Sequence, residues 1–141
     1  MPKYEFQVVA QAQFESEHSM PQQGIYRFSY TITVTNTGDT AAQLIARHWL
    51  ITDANGQQQE VHGLGVIGRQ PLLQPGESFQ YSSGCELTTA HGHMQGRYVC
   101  ITESAEIFEA PIDRFELDAA QGDGPDTPIS SIPTPSSRTL H

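Results

Sequence analysis

Two stretches near the N-terminus alternate apolar and polar residues almost without interruption. In the first, Tyr4, Phe6, Val8, Ala10, Ala12 and Phe14 are apolar and the residues between them polar, with Val9 the exception. In the second, Tyr26, Phe28, Tyr30, Ile32 and Val34 alternate with Arg27, Ser29, Thr31, Thr33 and Thr35. A period of two puts each set on its own face of an extended chain, so both stretches predict half-buried antiparallel strands. EHSMPQQG between them reads as a loop. After TNTGD turns the chain, Leu44 to Thr52 is apolar on both faces, as a central strand covered on both sides would be. Asp53-Ala54-Asn55-Gly56 predicts a tight two-residue hairpin turn of the Asn-Gly type, with Gln57 to His62 returning alongside. QPLLQPGE then punctuates the chain before a strand at Ser78 to Ser82, where Phe79 and Tyr81 share a face. Glu86 to Thr89 and Met94 to Thr102 read as the arms of a further hairpin bent at AHGH.

EIFEAPIDRFEL also has helical spacing, in Phe108, Ile112 and Phe115, but Pro111 at its centre favours an edge strand with a bulge. From Ala119 onward Gly, Asp, Pro, Ser and Thr replace the apolar residues, and such a segment buries too little surface to offset the entropy of ordering. One domain over 1–118 and a flexible acidic tail over 119–141 are therefore expected. About seven or eight short strands joined by Gly and Pro turns predict an all-β fold, an immunoglobulin- or fibronectin type III-like antiparallel β-sandwich, with a barrel as the alternative.

Composition removes several function classes. The net charge is −9, the single lysine is Lys3 and the six arginines are scattered, so nucleic acid and anionic membranes are not expected partners. The N-terminus lacks a signal-type apolar segment and no apolar run approaches the length that spans a bilayer, which predicts a cytoplasmic protein. Cys85 and Cys100 fall on one expected hairpin, which favours free structural thiols over a disulfide.

Three segments in order, ARHWLITDANG at 46–56, EVHGLGVIGRQPLLQPGESFQYSSG at 60–84 and GHMQGRY at 92–98, resemble the ApaG family, and the likeness extends from Tyr4 to Leu117. The resemblance implies a compact immunoglobulin- or fibronectin-like sandwich, free-standing in bacteria and a protein-binding module in eukaryotic F-box and polymerase-associated proteins. It also implies an association with cobalt resistance and magnesium efflux in bacteria, and with genes adjoining a diadenosine tetraphosphatase. The chain departs from the family pattern at His91, His93 and Cys100 and in its longer Ser/Pro tail.

Gly63, Gly65 and Gly68 have the G-x-G-x-x-G spacing of a dinucleotide loop, with Arg69 following. That motif works by aiming a helix N-terminus at a pyrophosphate, and no helix follows Gly68. The glycines are thus expected in turns and bulges, while an anion nest completed by Arg69 stays open. Arg47 and Trp49 share one strand face and His48 takes the other; Trp49 is a core anchor, and with Arg47 a candidate partner-binding patch. His91, His93 and Cys85 are too loosely spaced for a metal site, and no metal or other cofactor is expected. No motif fixes a nucleophile beside a base. The sequence points to a non-enzymatic module that binds a protein partner, or alternatively to a binder of polyphosphate or dinucleoside polyphosphate at Gly63–Arg69.

Overall fold

The computed structural model describes residues 4–121 as an all-β, antiparallel sandwich of eight strands in two sheets. The first sheet has the order β1 (Phe6–Phe14), β2 (Tyr26–Asn36), β6 (Ser78–Leu87). The second has the order β4 (Gln58–Leu64), β3 (Ala42–Asp53), β7 (His91–Thr102), β8 (Ile107–Asp118), and the two-residue β5 (Leu72–Leu73) also pairs with β3.

The alternation in the sequence becomes the core directly. Phe28, Tyr30, Ile32 and Val34 of β2 are buried and face Trp49, Ile51, Met94, Tyr98 and Leu117 of the opposite sheet in one continuous cluster. Tyr30 meets the Trp49 ring edge-on at 5.5 Å and Phe115 at 6.0 Å, so the two layers are joined by aromatic contacts at their centre. At one margin Phe6 of β1 packs edge-on against Phe108 of β8 at 5.5 Å. The turn after β2 is secured by buried Asn36, whose amide donates to the Thr40 and Leu73 carbonyls while its oxygen accepts from Gly38 N–H. A buried amide with all these partners costs little and fixes where the chain changes sheet.

Strand β3 carries a bulge between Leu44 and Ala46. The extra residue moves the inward set from Ala42 and Leu44 to Arg47, Trp49 and Ile51, which is why the segment looked apolar on both faces. β8 is an edge strand with a register shift opposite Met94 and Gly96 and with Pro111 exposed, as expected from its sequence.

Three expectations need correction. The turn after β3 closes on Asp53 and Gln57, so its loop has three residues, not two, with Gly56 left-handed at φ +84°. Asp53 Oδ1 accepts from the Asn55 and Gln57 N–H groups and stabilises that longer form. Ser78–Ser82 and the arm from Glu86 belong to one continuous strand, β6. β6 and β7 are not a hairpin: they lie in different sheets, and Thr88–Ala90 crosses between the layers. The cysteines therefore sit in opposite sheets, both buried and free. Cys85 Sγ touches Met94 Sδ at 3.8 Å, and Cys100 lies six residues further along β7, about 20 Å away at strand rise. The loop expected between β1 and β2 contains two short 3-10 turns, Ser16–His18 and Pro21–Gln23. Past β8 a third, Ala119–Gln121, is held by Ala119 N–H to the Ala90 carbonyl; the rest of the expected tail, 122–141, lies outside the described residues.

Candidate functional site

β3 and β4 form a hairpin whose two faces differ in kind. On the inner face Trp49 is wholly buried, so it supports the surface above it and touches no solvent. Two residues earlier, Arg47 lies opposite Gly63 and donates from Nη1 to the carbonyls of Leu64 and Gly65 at 3.0 and 2.9 Å. A Cβ at Gly63 would stand 2.7 Å from the Arg47 guanidinium, so glycine there is what lets the side chain lie across β4. Gly65 has φ +62°, and a Cβ on it would be driven into the Arg69 carbonyl oxygen.

Beyond Gly65 the chain makes a tight tip. Val66 and Arg69 exchange backbone hydrogen bonds in both directions, and the two residues between them, Ile67 and Gly68, have φ +42° and +78°. Positive φ at both central positions is the type I′ pattern, which favours Asn-Gly; a β-branched residue in the first of them is strained. Ile67 is nevertheless exposed, at 44%, and Leu64 beside it at 75%. Both border an open cavity of about 330 Å³ shared with Arg47, Val66, Tyr81 and Ser83. It bridges the two sheets where β4 and β6 are the edge strands. Tyr81 OH and Tyr98 OH share a hydrogen bond of 2.5 Å, and burial pushes both phenols above their ordinary pKa. Arg69 lies over the Phe79 ring at 5.7 Å, too far round the tip to line that cavity.

The glycine spacing is thus accounted for by the path of the chain. The N–H groups of Gly65, Val66 and Arg69, which a nest would aim at an anion, donate to protein carbonyls instead. The structure brings Arg47 together with Gly63 and Gly65, while Arg69 meets Gly65 only through its backbone carbonyl and sends its guanidinium to the Phe79 ring.

On the outer face, His48 and His62 are directly opposed across the two strands with their rings stacked at 4.2 Å. His48 Nε2 lies 2.8 Å from Glu60 Oε2, and His62 Nε2 lies 3.9 Å from the same oxygen. The hydrogen bond from His48 is the main reason the Glu60 carboxyl titrates below its ordinary value. Next to them Arg97 of β7 pairs with Glu109 at 3.1 Å. This trio escaped the sequence reading. Its only signal was the length of the turn at 54–56, which sets which residue of β4 faces His48. His91 and His93, the histidines weighed there, belong to no such group among the described residues. No described helix is long and apolar enough to cross a membrane.

A family model described as the ApaG domain matches residues 16–102. An ApaG protein of Acidovorax sp. (strain JS42) is 54% identical over 143 residues, covering 100% of both chains. One from Dechloromonas aromatica is 55% identical over 82% of this chain and 91% of its own. A crystal structure from Bordetella pertussis described under the name ApaA superposes with a TM-score of 0.82 at 46% identity, over 90% of this chain and 99% of that one. The three quoted motifs, the sandwich that carries them and these full-length likenesses agree: the chain belongs to the ApaG family.

Proposed function

We propose that the chain is a non-enzymatic binding module that docks a protein partner at the mouth between β4 and β6. The observation that carries this reading is Ile67. A strained, β-branched residue is kept at an exposed turn tip where Asn would be more stable, so its apolar side chain has value outside the fold. Leu64 extends the apolar rim, and among the described residues β4 pairs only with β3, leaving its outer edge to accept an added strand. An extended partner segment would place apolar side chains on Leu64 and Ile67 and one polar side chain in the cavity toward Arg47. Trp49 serves by holding Arg47's strand from beneath.

The test is photo-crosslinking from position 67 in cells, with the exposed Val9 position of β1 as control. One defined protein captured from 67, absent from 9 and lost on Leu64→Asp, supports the reading; equal capture from both positions, or none, overturns it. The small-molecule alternative rests on Arg69 and the remaining loop amides. It predicts localised amide shifts at 63–69 with millimolar pyrophosphate and no dependence on Leu64.

A further inference from the structure

We infer that His48, Glu60 and His62 form a binding site for a late first-row divalent metal ion of the zinc type on the outer face of the β3–β4 hairpin. One nitrogen or oxygen from each residue lies within 4.8 Å of those of the other two. Around a tetrahedral zinc with bonds of about 2.0–2.1 Å, neighbouring ligand atoms stand roughly 3.4 Å apart, between the 2.8 and 3.9 Å separations present here. Small side-chain rotations bring all three onto one ion. Both ends of the trio are set by backbone: His48 and His62 are a cross-strand pair, and Glu60 is on the same face two residues from His62.

The donor set decides the class of metal. Two imidazoles and one carboxylate suit Zn²⁺, Ni²⁺ or Cu²⁺, whereas Mg²⁺ and Ca²⁺ want more oxygens than this face offers. Three protein ligands leave a position open, as in exchangeable sites. The His48 side chain is 13% exposed while Glu60 and His62 are 58% and 66%, so one ligand is anchored and an ion enters from solvent past the other two. Arg97, whose positive charge reaches Glu60, is offset by Glu109. His48 Nδ1 is buried without a hydrogen-bond partner among the described residues. The outer hydrogen bond that orients ligating imidazoles in tight sites is therefore missing, and a micromolar site is expected, not a nanomolar one.

Calorimetric titration of the full chain with Zn²⁺, with Mg²⁺ in parallel, tests this. One saturable Zn²⁺ equivalent is expected, with a raised melting temperature and no response to Mg²⁺. His62→Ala and Glu60→Gln alter exposed side chains and leave the fold intact; each should weaken binding about tenfold or more, not less than loss of an outer-shell partner does. His93→Ala should leave it unchanged. No saturable equivalent by millimolar Zn²⁺, or binding that survives in His62→Ala and falls in His93→Ala, overturns the site.

Discussion

Three consecutive residues, Arg47, His48 and Trp49, show how differently the two faces of one hairpin are determined. Inward, Trp49 is enclosed by Tyr30, Tyr98 and Phe115, and Arg47 is fixed by two backbone carbonyls and by the glycine across from it. Every neighbour there constrains every other. Outward, only His48 is held by its surroundings, and Glu60 and His62 are open to solvent. The inner face specifies the fold and carries the rim proposed above as the docking site; the outer face inherits its geometry from that fold and has ligand atoms to spare. The two faces are independent only if substitutions on one leave the other unchanged.

The largest effect belongs to the inner face. Trp49→Ala removes the largest wholly buried side chain at the point where both sheets meet, and should cost about 3–5 kcal/mol in urea unfolding. The indole N–H has no hydrogen-bond partner among the described residues, so Trp49→Phe, which removes that donor, should cost markedly less. Equal losses for the two would mean that the ring's volume is not what the core needs.

Next comes alkaline pH, which acts on the interior and spares the exterior. Burial pushes the Cys85 and Cys100 thiols from 9.0 up to about 12, and raises the Tyr30, Tyr81 and Tyr98 phenols in the same direction. Above pH 9 the unfolded chain releases thiol protons that the folded chain keeps. The thiols' contribution to stability is thus complete below 9.0 and is lost progressively between 9.0 and about 12. Thermal midpoints should fall between pH 9 and 11, with the native thiols unreactive at pH 8. A midpoint flat across that range would place the thiols in contact with water.

How much of this was legible in the sequence depends on how local the cause is. The faces of β1 and β2 follow from alternation alone, since Val9 is the one apolar residue that falls among the polar set. Pro111 correctly marked an edge strand, because a missing N–H excludes a central position. What did not show was anything set by long-range pairing. Nothing local tells that Thr88–Ala90 carries the chain to the other sheet, because an arm of a hairpin and a strand that crosses between layers alternate alike. The hidden metal ligands follow from a smaller misreading. A two-residue Asn55-Gly56 loop would set Gly63 opposite His48 and turn His62 to the Trp49 side. The observed three-residue loop, held by Asp53, sets His62 opposite His48. One residue in a turn moves a whole strand to its other face.

Ile67→Asn probes the rim of the inner face. Asn tolerates positive φ at the first position of a type I′ turn, so the substitution should raise stability by about 1 kcal/mol or somewhat less, read as a higher urea midpoint with unchanged slope. It should also abolish crosslinking to the partner from a probe moved to the neighbouring position 64. Gaining stability while losing the partner is the signature of strain retained for binding. If Ile67→Asn loses stability, the side chain is packing the fold instead, and the docking proposal loses its main support.

The smallest expected effect is the most discriminating. His62→Ala removes an exposed side chain whose nearest ion-pair distance is 3.9 Å, so stability should change by no more than about 0.5 kcal/mol. Zn²⁺ binding should nevertheless fall as stated above, and partner capture from position 67 should not change. Combined with Ile67→Asn, the stability effects should add to within about 0.3–0.5 kcal/mol. His62 and Ile67 are only five residues apart, yet they reach opposite sides of the sheet because alternation and the bend at Gly65 intervene. A coupling clearly above that limit would mean that strain at the tip is felt through β4 by the histidine pair. The outer trio would then report on partner docking, and the two faces would be one device.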